Sequence, residues 1–154
     1  MAKLPPAQIR LLWFGRCAIF RLTVSSTQRI LAIDSDSTTL ASVKGMLESE
    51  DRVVDLASTA EEAKAALNAE PYDLVIADLQ MPRLSGQELF DLCETRAAGS
   101  GRKILFLTAG ALSPELQAFL ERTKRACLPK PIHLRRFLDR VEDILSGVEE
   151  EELF

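Results

Sequence analysis

Four short stretches hold the residues able to do chemistry in this chain of 154 residues: Asp34-Ser35-Asp36, Asp78, Thr108-Ala109 and Lys130-Pro131. Each lies just after a run of apolar residues. Brought to one place, two carboxylates, a hydroxyl and an ammonium make a site for a divalent cation and a phosphoryl group. Oxygen ligands suit Mg²⁺, and a lysine neutralises phosphate charge. Whether they meet depends on the elements that carry them.

Those elements are legible from periodicity. Residues 29–33 (RILAI), 73–77 (DLVIA) and 104–107 (ILFL) are continuous apolar runs, the pattern of strands buried on both faces as in a parallel sheet. Weaker strands are expected at 52–56 (RVVDL) and 126–128. Helical stretches fall between them, at 37–49, 59–69, 86–97, 113–122 and 132–145. Thr59 with Glu62 forms a capping-box pattern, and Ser113-Pro114-Glu115 places a cap, a proline at the first helical position and an acid near the positive end of the helix dipole. Strand and helix therefore alternate five times. This order predicts an α/β fold: an open, doubly wound, five-stranded parallel sheet flanked by five helices, with right-handed crossovers. Ligands of such sheets sit at the carboxyl ends of the strands, near the switch point in strand order. The four stretches fall there.

The bulk numbers narrow the classes. A chain of this length supports one domain with a real core. With 47% hydrophobic and 27% charged residues it has the profile of a soluble globular protein, and a net charge of -4 with a pI near 5.1 argues against nucleic acid as a partner. Residues 9–24 are apolar, but Arg10, Arg16 and Arg21 interrupt them, while a bilayer span needs about 20 apolar residues. A cytoplasmic location is expected, and Cys17, Cys93 and Cys127, widely spaced, read as reduced thiols.

The stretch from Tyr72 to Gly86 (YDLVIADLQMPRLSG) resembles the signature of response-regulator receiver domains in two-component signalling, including its Met-Pro and the glycine eight residues after the acid. The acidic cluster after the first strand, Thr108-Ala109 and Leu128-Pro129-Lys130-Pro131 join it in the family's order, and the resemblance covers residues 29–146. It implies a flavodoxin-like fold and an aspartyl phosphate at Asp78, formed from a sensor histidine kinase or a histidine phosphotransfer protein. It also implies Mg²⁺ held by Asp34, Asp78 and the backbone carbonyl of Gln80, with Ser35 beside them. Thr108 and Lys130 would each meet a phosphoryl oxygen, and the Lys130-Pro131 bond would be cis.

Two positions depart from the family. Members usually have two adjacent acids after the first strand, where this chain has Asp34 and then Ser35, a neutral and weaker ligand that lowers the expected Mg²⁺ affinity; Asp36 could supply charge instead. Three residues before the lysine the family often has an inward-swinging tyrosine or phenylalanine, and this chain has Cys127. Receivers of hybrid histidine kinases often carry a small residue there. Residues 119–123 also look like that subgroup, and residues 15–24 faintly resemble the last strand of a kinase ATP-binding domain.

The expected organisation is an extension at 1–28, a receiver at 29–146 and an acidic tail at 147–154, with no output domain. The chain is then no enzyme beyond self-catalysed phosphotransfer and loss of phosphate at Asp78, and it signals by docking to a downstream protein or by self-association. Two alternatives stand beside this. One is a phosphorylation-independent pseudo-receiver. The other is a haloacid-dehalogenase-type phosphatase, because residues 33–38 (IDSDST) also look like that family's nucleophile motif. The lone His133 is expected on the surface at the start of the last helix.

Overall fold

The computed structural model describes residues 26–96 and 100–147. Five strands, β1 (Gln28–Ile33), β2 (Arg52–Ala57), β3 (Leu74–Asp78), β4 (Ile104–Thr108) and β5 (Ala126–Pro129), form one parallel sheet in the order β2-β1-β3-β4-β5. Helices α1 (Ser37–Leu47), α2 (Ala60–Ala69), α3 (Gly86–Arg96), α4 (Pro114–Thr123) and α5 (Leu134–Ser146) alternate with them. The doubly wound fold expected from the alternation is the fold observed.

Both faces of the sheet are covered over its centre, which is why β3 and β4 and most of β1 are apolar, whereas edge strand β2 carries Asp55 and leaves Val53 and Leu56 exposed. On one face Ile30, Ala32, Leu74, Ile76, Leu105 and Leu107 pack under α1 and α5, whose Leu40, Val43, Phe137 and Val141 are buried. On the other, Leu31, Ile33, Val75, Ala77, Ile104 and Phe106 pack under α2, α3 and α4. Phe119 of α4 stands edge-on to Phe106 and Phe90 at centroid distances of 5.7 and 6.2 Å. Among the described residues no helix is long and apolar enough to cross a membrane.

The expected caps are present. Thr59 accepts from the Glu62 amide while the Glu62 carboxylate receives the Thr59 amide, and Ser113 caps α4 with Pro114 in its first turn. Boundaries move where local bonding overrides the apolar pattern. Helix α1 stops at Leu47, because Ser49 and Arg52 exchange backbone hydrogen bonds in a tight turn into β2. Helix α5 begins at Leu134, after the extended His133 N-cap that follows Pro131. A 3-10 turn at Ser100–Lys103 was not expected. The extension expected at 1–28 is described only from Ser26, and its likeness to a kinase strand at 15–24, like Cys17 and the tail at 148–154, lies outside the described residues.

Candidate functional site

Parallel strands deliver their carboxyl ends to one edge, and the register decides which residues meet there. Ile33 pairs with Ala77, so Asp34 leaves β1 beside Asp78 at the end of β3. Asp78 pairs with Leu107, which puts Thr108 one step further along β4, and Thr108 pairs with Pro129, next to Lys130. The Lys130 amide donates to the Thr108 carbonyl at 2.7 Å, and the Lys130-Pro131 peptide is cis, as the sequence led us to expect.

The side chains close on one another. Lys130 Nζ donates to Asp34 Oδ2 at 2.5 Å and to Asp78 Oδ2 at 3.3 Å. The side chains are 2% exposed for Asp34, 12% for Asp78 and 15% for Lys130, so these charges sit largely out of water. Burial alone would push the Lys130 pKa down, but the hydrogen bond and charge of Asp34, joined by Asp78, raise it above the ordinary lysine value. The other carboxylate oxygens brace the loops: Asp34 Oδ1 accepts from the Asp36 amide at 2.8 Å, and Asp78 Oδ1 from the Gln80 amide at 2.9 Å.

Thr108 is 5% exposed, and its hydroxyl has no hydrogen-bond partner among the described residues. A buried hydroxyl left unmatched costs about 1–3 kcal/mol relative to a satisfied one, so the fold tolerates a defect here. Gly110, two residues on, has a φ of 140°, a conformation that side chains rarely adopt.

The segment from Asp78 to α3 is anchored from below. Leu79, Met81 and Leu84 are buried, and the Leu79 amide donates to the Leu107 carbonyl at 2.8 Å. A Cβ on Gly86 would lie 2.7 Å from Leu79 Cδ1 and 3.2 Å from the Phe119 ring, so a larger residue at the start of α3 would displace these buried side chains. Ser85 and Glu88 form a second reciprocal cap there, which the sequence reading missed although the Ser-x-x-Glu spacing was available.

Asp34, Asp78 and Lys130 are thus joined directly, Gln80 through its backbone and Thr108 by register. Ser35 is exposed and hydrogen-bonded to none of them. Asp36, considered as a substitute charge, is the N-cap of α1: its carboxylate accepts from the Thr38 amide at 3.0 Å and the Thr39 hydroxyl at 2.8 Å, and these bonds hold its pKa below the usual carboxylate value. Cys127 lies on β5, half-buried against the α4 side of the sheet, its thiol pushed up to about 11 by burial and then by the charge of Asp78. His133 is exposed.

The donor set suits a hard cation such as Mg²⁺. It offers two carboxylates and a neighbouring backbone carbonyl, all oxygen, with the orphaned Thr108 hydroxyl aside for a further acceptor. It is one acid short at Ser35.

Comparison with known proteins agrees with this geometry. Residues 30–142 match the family model of the response regulator receiver domain. The chain is 33% identical over 117 residues to the response regulator MprA of Mycobacterium leprae, an alignment covering 76% of this chain and 50% of that protein. It spans about half the length of the curated response regulators it matches. A CheY-like receiver domain protein from Methanospirillum hungatei superposes with a TM-score of 0.70 at 31% identity, covering 79% of this chain and 96% of that one. The receiver domain of the sensor histidine kinase PA1611 from Pseudomonas aeruginosa, solved with a magnesium ion in its active-site cleft, shares the fold with a TM-score of 0.64 at 23% identity, covering 79% and 99%. Motif, topology and family model converge: this chain belongs to the response regulator receiver domain family of two-component systems.

Proposed function

We propose that Asp78 accepts a phosphoryl group from a phosphohistidine on a sensor kinase or phosphotransfer protein, or from a small acyl phosphate, and that the phosphorylated domain signals by docking to a downstream protein. A carboxylate oxygen of Asp78 attacks phosphorus as the bond from phosphorus to the donor's nitrogen or acyl oxygen breaks. The donor leaves with that electron pair, and an aspartyl phosphate remains. Mg²⁺, when bound, neutralises charge on the transferring group. Asp34, Asp78, the Gln80 carbonyl and more weakly Ser35 are the residues that would hold it. Lys130 is in place to pair with one phosphoryl oxygen.

The observation that carries this reading is the unpartnered Thr108 hydroxyl, buried at 5% exposure beside a carboxylate that a lysine already holds. A phosphoryl oxygen on Asp78 supplies the acceptor that hydroxyl lacks. Drawing Thr108 inward shifts a pre-existing equilibrium of the loop through Gly110 and of α4, which is how replacing the single charge of Asp78 by about two becomes a signal. The family's aromatic partner is absent at Cys127, so the face of α4, β5 and α5 responds through the loop itself. Receiver domains are signalling modules, and the chain acts on no substrate beyond its own Asp78. We place the domain in the cytoplasm, where such donors reside, and the chain's net charge of -4 argues against nucleic acid as a partner of this domain itself.

Ser35 and Cys127 favour a second reading, a pseudo-receiver that docks without phosphorylation. The phosphatase reading has less support, because the Asp34 side chain is 2% exposed, buried more deeply than that of Asp78 at 12%, and is held by Lys130 at 2.5 Å. Intact mass after incubation with acetyl phosphate and Mg²⁺ separates the first two. We expect a gain of about 80 Da that Asp78→Asn abolishes. No gain with acetyl phosphate or with a phosphohistidine donor would sink the proposal and leave the pseudo-receiver.

A further inference from the structure

We infer that the free edge of β2 is a docking surface for this chain's own residues 17–24 (CAIFRLTV), which add to the sheet there as a sixth strand, antiparallel to β2. This cover does not depend on phosphate at Asp78.

The two edges of the sheet differ. Strand β5 is four residues long and closes with Pro129, whereas β2 runs for six residues without a proline. Three large apolar side chains are exposed among the described residues, and two of them, Val53 at 41% and Leu56 at 42%, belong to β2. They lie on opposite faces. Val53 shares its face with Ala57, buried on the α2 side of the sheet, and Leu56 shares its face with Val54, buried on the α1 side. A strand that exposes apolar groups on both faces lacks a neighbouring strand rather than a covering helix.

The backbone agrees. The Gln28 amide donates to the Asp51 carbonyl and the Asp34 amide to the Ala57 carbonyl, so the odd-numbered residues of β2 turn their polar groups to β1. Those of the even-numbered residues point outward. Arg52 exchanges its pair with Ser49 in the turn, while among the described residues no strand lies beside the outward groups of Val54 and Leu56. Such a row of backbone donors and acceptors is a template for a further strand.

Position, pattern and charge select the occupant. Ser26, the first described residue, lines one cleft with Ser49, Asp51 and Arg52, so the preceding chain arrives at the amino end of this edge. A strand running down to that point is antiparallel to β2. From Val24 to Gln28 there are four peptide steps of about 3.3 Å, enough to cross the two strand spacings, about 10 Å, between a strand outside β2 and β1. In an extended segment Ala18, Phe20, Leu22 and Val24 fall on one side and Cys17 and Ile19 on the other, which suits an edge with Val53 on one face and Leu56 on the other. Ahead of Ser26 the chain holds Lys3, Arg10, Arg16 and Arg21, four of its 19 basic residues and none of its 23 acids. The edge that it meets is acidic, with Glu48, Glu50 and Asp51 leading into β2 and Asp55 within it. Opposite charge favours this pairing.

Amide hydrogen exchange of the full chain by NMR, with light scattering for its mass, tests this. We expect a monomer whose Val54 and Leu56 amides exchange slowly. Phe20→Asp, which places a charge on the apolar side of the segment, should speed them by about tenfold or more and leave the amides of β3 and β4 protected. Val53→Lys sets a cation at an exposed position of the edge and should likewise speed the amides of residues 18–23. Fast exchange at Val54 and Leu56 in the unaltered chain would overturn the inference, as would protection that survives both substitutions. Protection that accompanies twice the monomer mass and disappears on dilution would overturn it as well, because the occupant would then be a second copy of the chain.

Discussion

At the amino end of the sheet, the Arg29 guanidinium reaches Asp55 at 2.8 Å and Glu70 at 2.7 Å, and lies 5.4 Å from the centre of the Tyr72 ring. The Tyr72 hydroxyl donates to Asp55 at 2.9 Å, and the Arg29 amide to Asp73. At the carboxyl end, Lys130 serves Asp34 and Asp78 together, and Thr108 is left without a partner. Both ends use cations and carboxylates. They differ in exposure and in completeness. The side chains of the Arg29 pairs are 34 to 50% exposed and mutually satisfied, whereas those of the Lys130 pairs are at most 15% exposed, carry excess negative charge and leave a hydroxyl over. The first arrangement is one that water would tolerate in many variations. The second persists at a cost to stability, and such a defect in a packed edge marks where a ligand belongs.

The contrast is broken most forcefully at Lys130. Replacement by methionine leaves Asp34 as a buried carboxylate whose remaining bond is to the Asp36 amide, and removal of one member of a buried pair costs roughly 3 kcal/mol or more. Urea unfolding should show that loss at neutral pH. The pH dependence has a definite sign. Because the folded-state pKa of Lys130 is raised, its contribution is fully present below the ordinary lysine value of 10.5 and is lost as pH rises through the folded value. Cys93 and Cys127, raised to about 11, and Tyr72, raised to about 12, also cost stability in alkali, because the unfolded chain ionises them first. They do so in both proteins. The difference between the two alkaline profiles therefore isolates Lys130, and a variant as stable as the parent would show that the cluster is solvated.

Thr108→Val sharpens the other half of the contrast. It removes the unmatched hydroxyl and keeps the shape, so we expect a gain of up to about 1 kcal/mol in urea unfolding together with impaired retention of phosphate on Asp78, read by intact mass over time. A loss of stability instead would mean that the hydroxyl is satisfied, for instance by water, and that the orphan is not a reserved donor.

Much of this was readable from the chain. The apolar runs located β1, β3 and β4 within a residue or two, because a doubly covered parallel sheet demands continuous apolar segments there, and weaker patterns located β2 and β5 as closely; the residues after the runs had to share an edge. Periodicity was silent where side chains compete for local backbone. Asp36 was considered as a source of charge, yet it caps α1, and the choice between those roles depends on the distance from its carboxylate to the Thr38 amide. The early end of α1 came from a turn between Ser49 and Arg52, and the late start of α5 from an extended His133. The orphaned state of Thr108 was beyond reach of the sequence, since it depends on every neighbour failing to supply an acceptor. Nor does composition distinguish the shared ammonium of Lys130 from the satisfied guanidinium of Arg29.

Arg29→Met carries the smallest expected effect and tests whether exposure or pairing sets the difference between the ends. Methionine retains an apolar stem over Tyr72 and loses the charge, so what disappears is the ion pairing with Asp55 and Glu70. Pairs this open to water contribute little, because solvent screens them and holding two long side chains in one geometry costs entropy. Salt supplies the discriminating variable. In about 1 M NaCl the screening length falls to roughly 3 Å, which weakens interactions among exposed charges and leaves buried ones nearly untouched. Urea unfolding of Arg29→Met and Lys130→Met, each at low and high salt, should therefore show a small loss for Arg29→Met that shrinks with salt and a large loss for Lys130→Met that does not. Should the Arg29→Met loss match that of Lys130→Met and resist salt, the amino end would be as dependent on its charges as the carboxyl end, and burial would no longer explain why one of them is poised for a ligand.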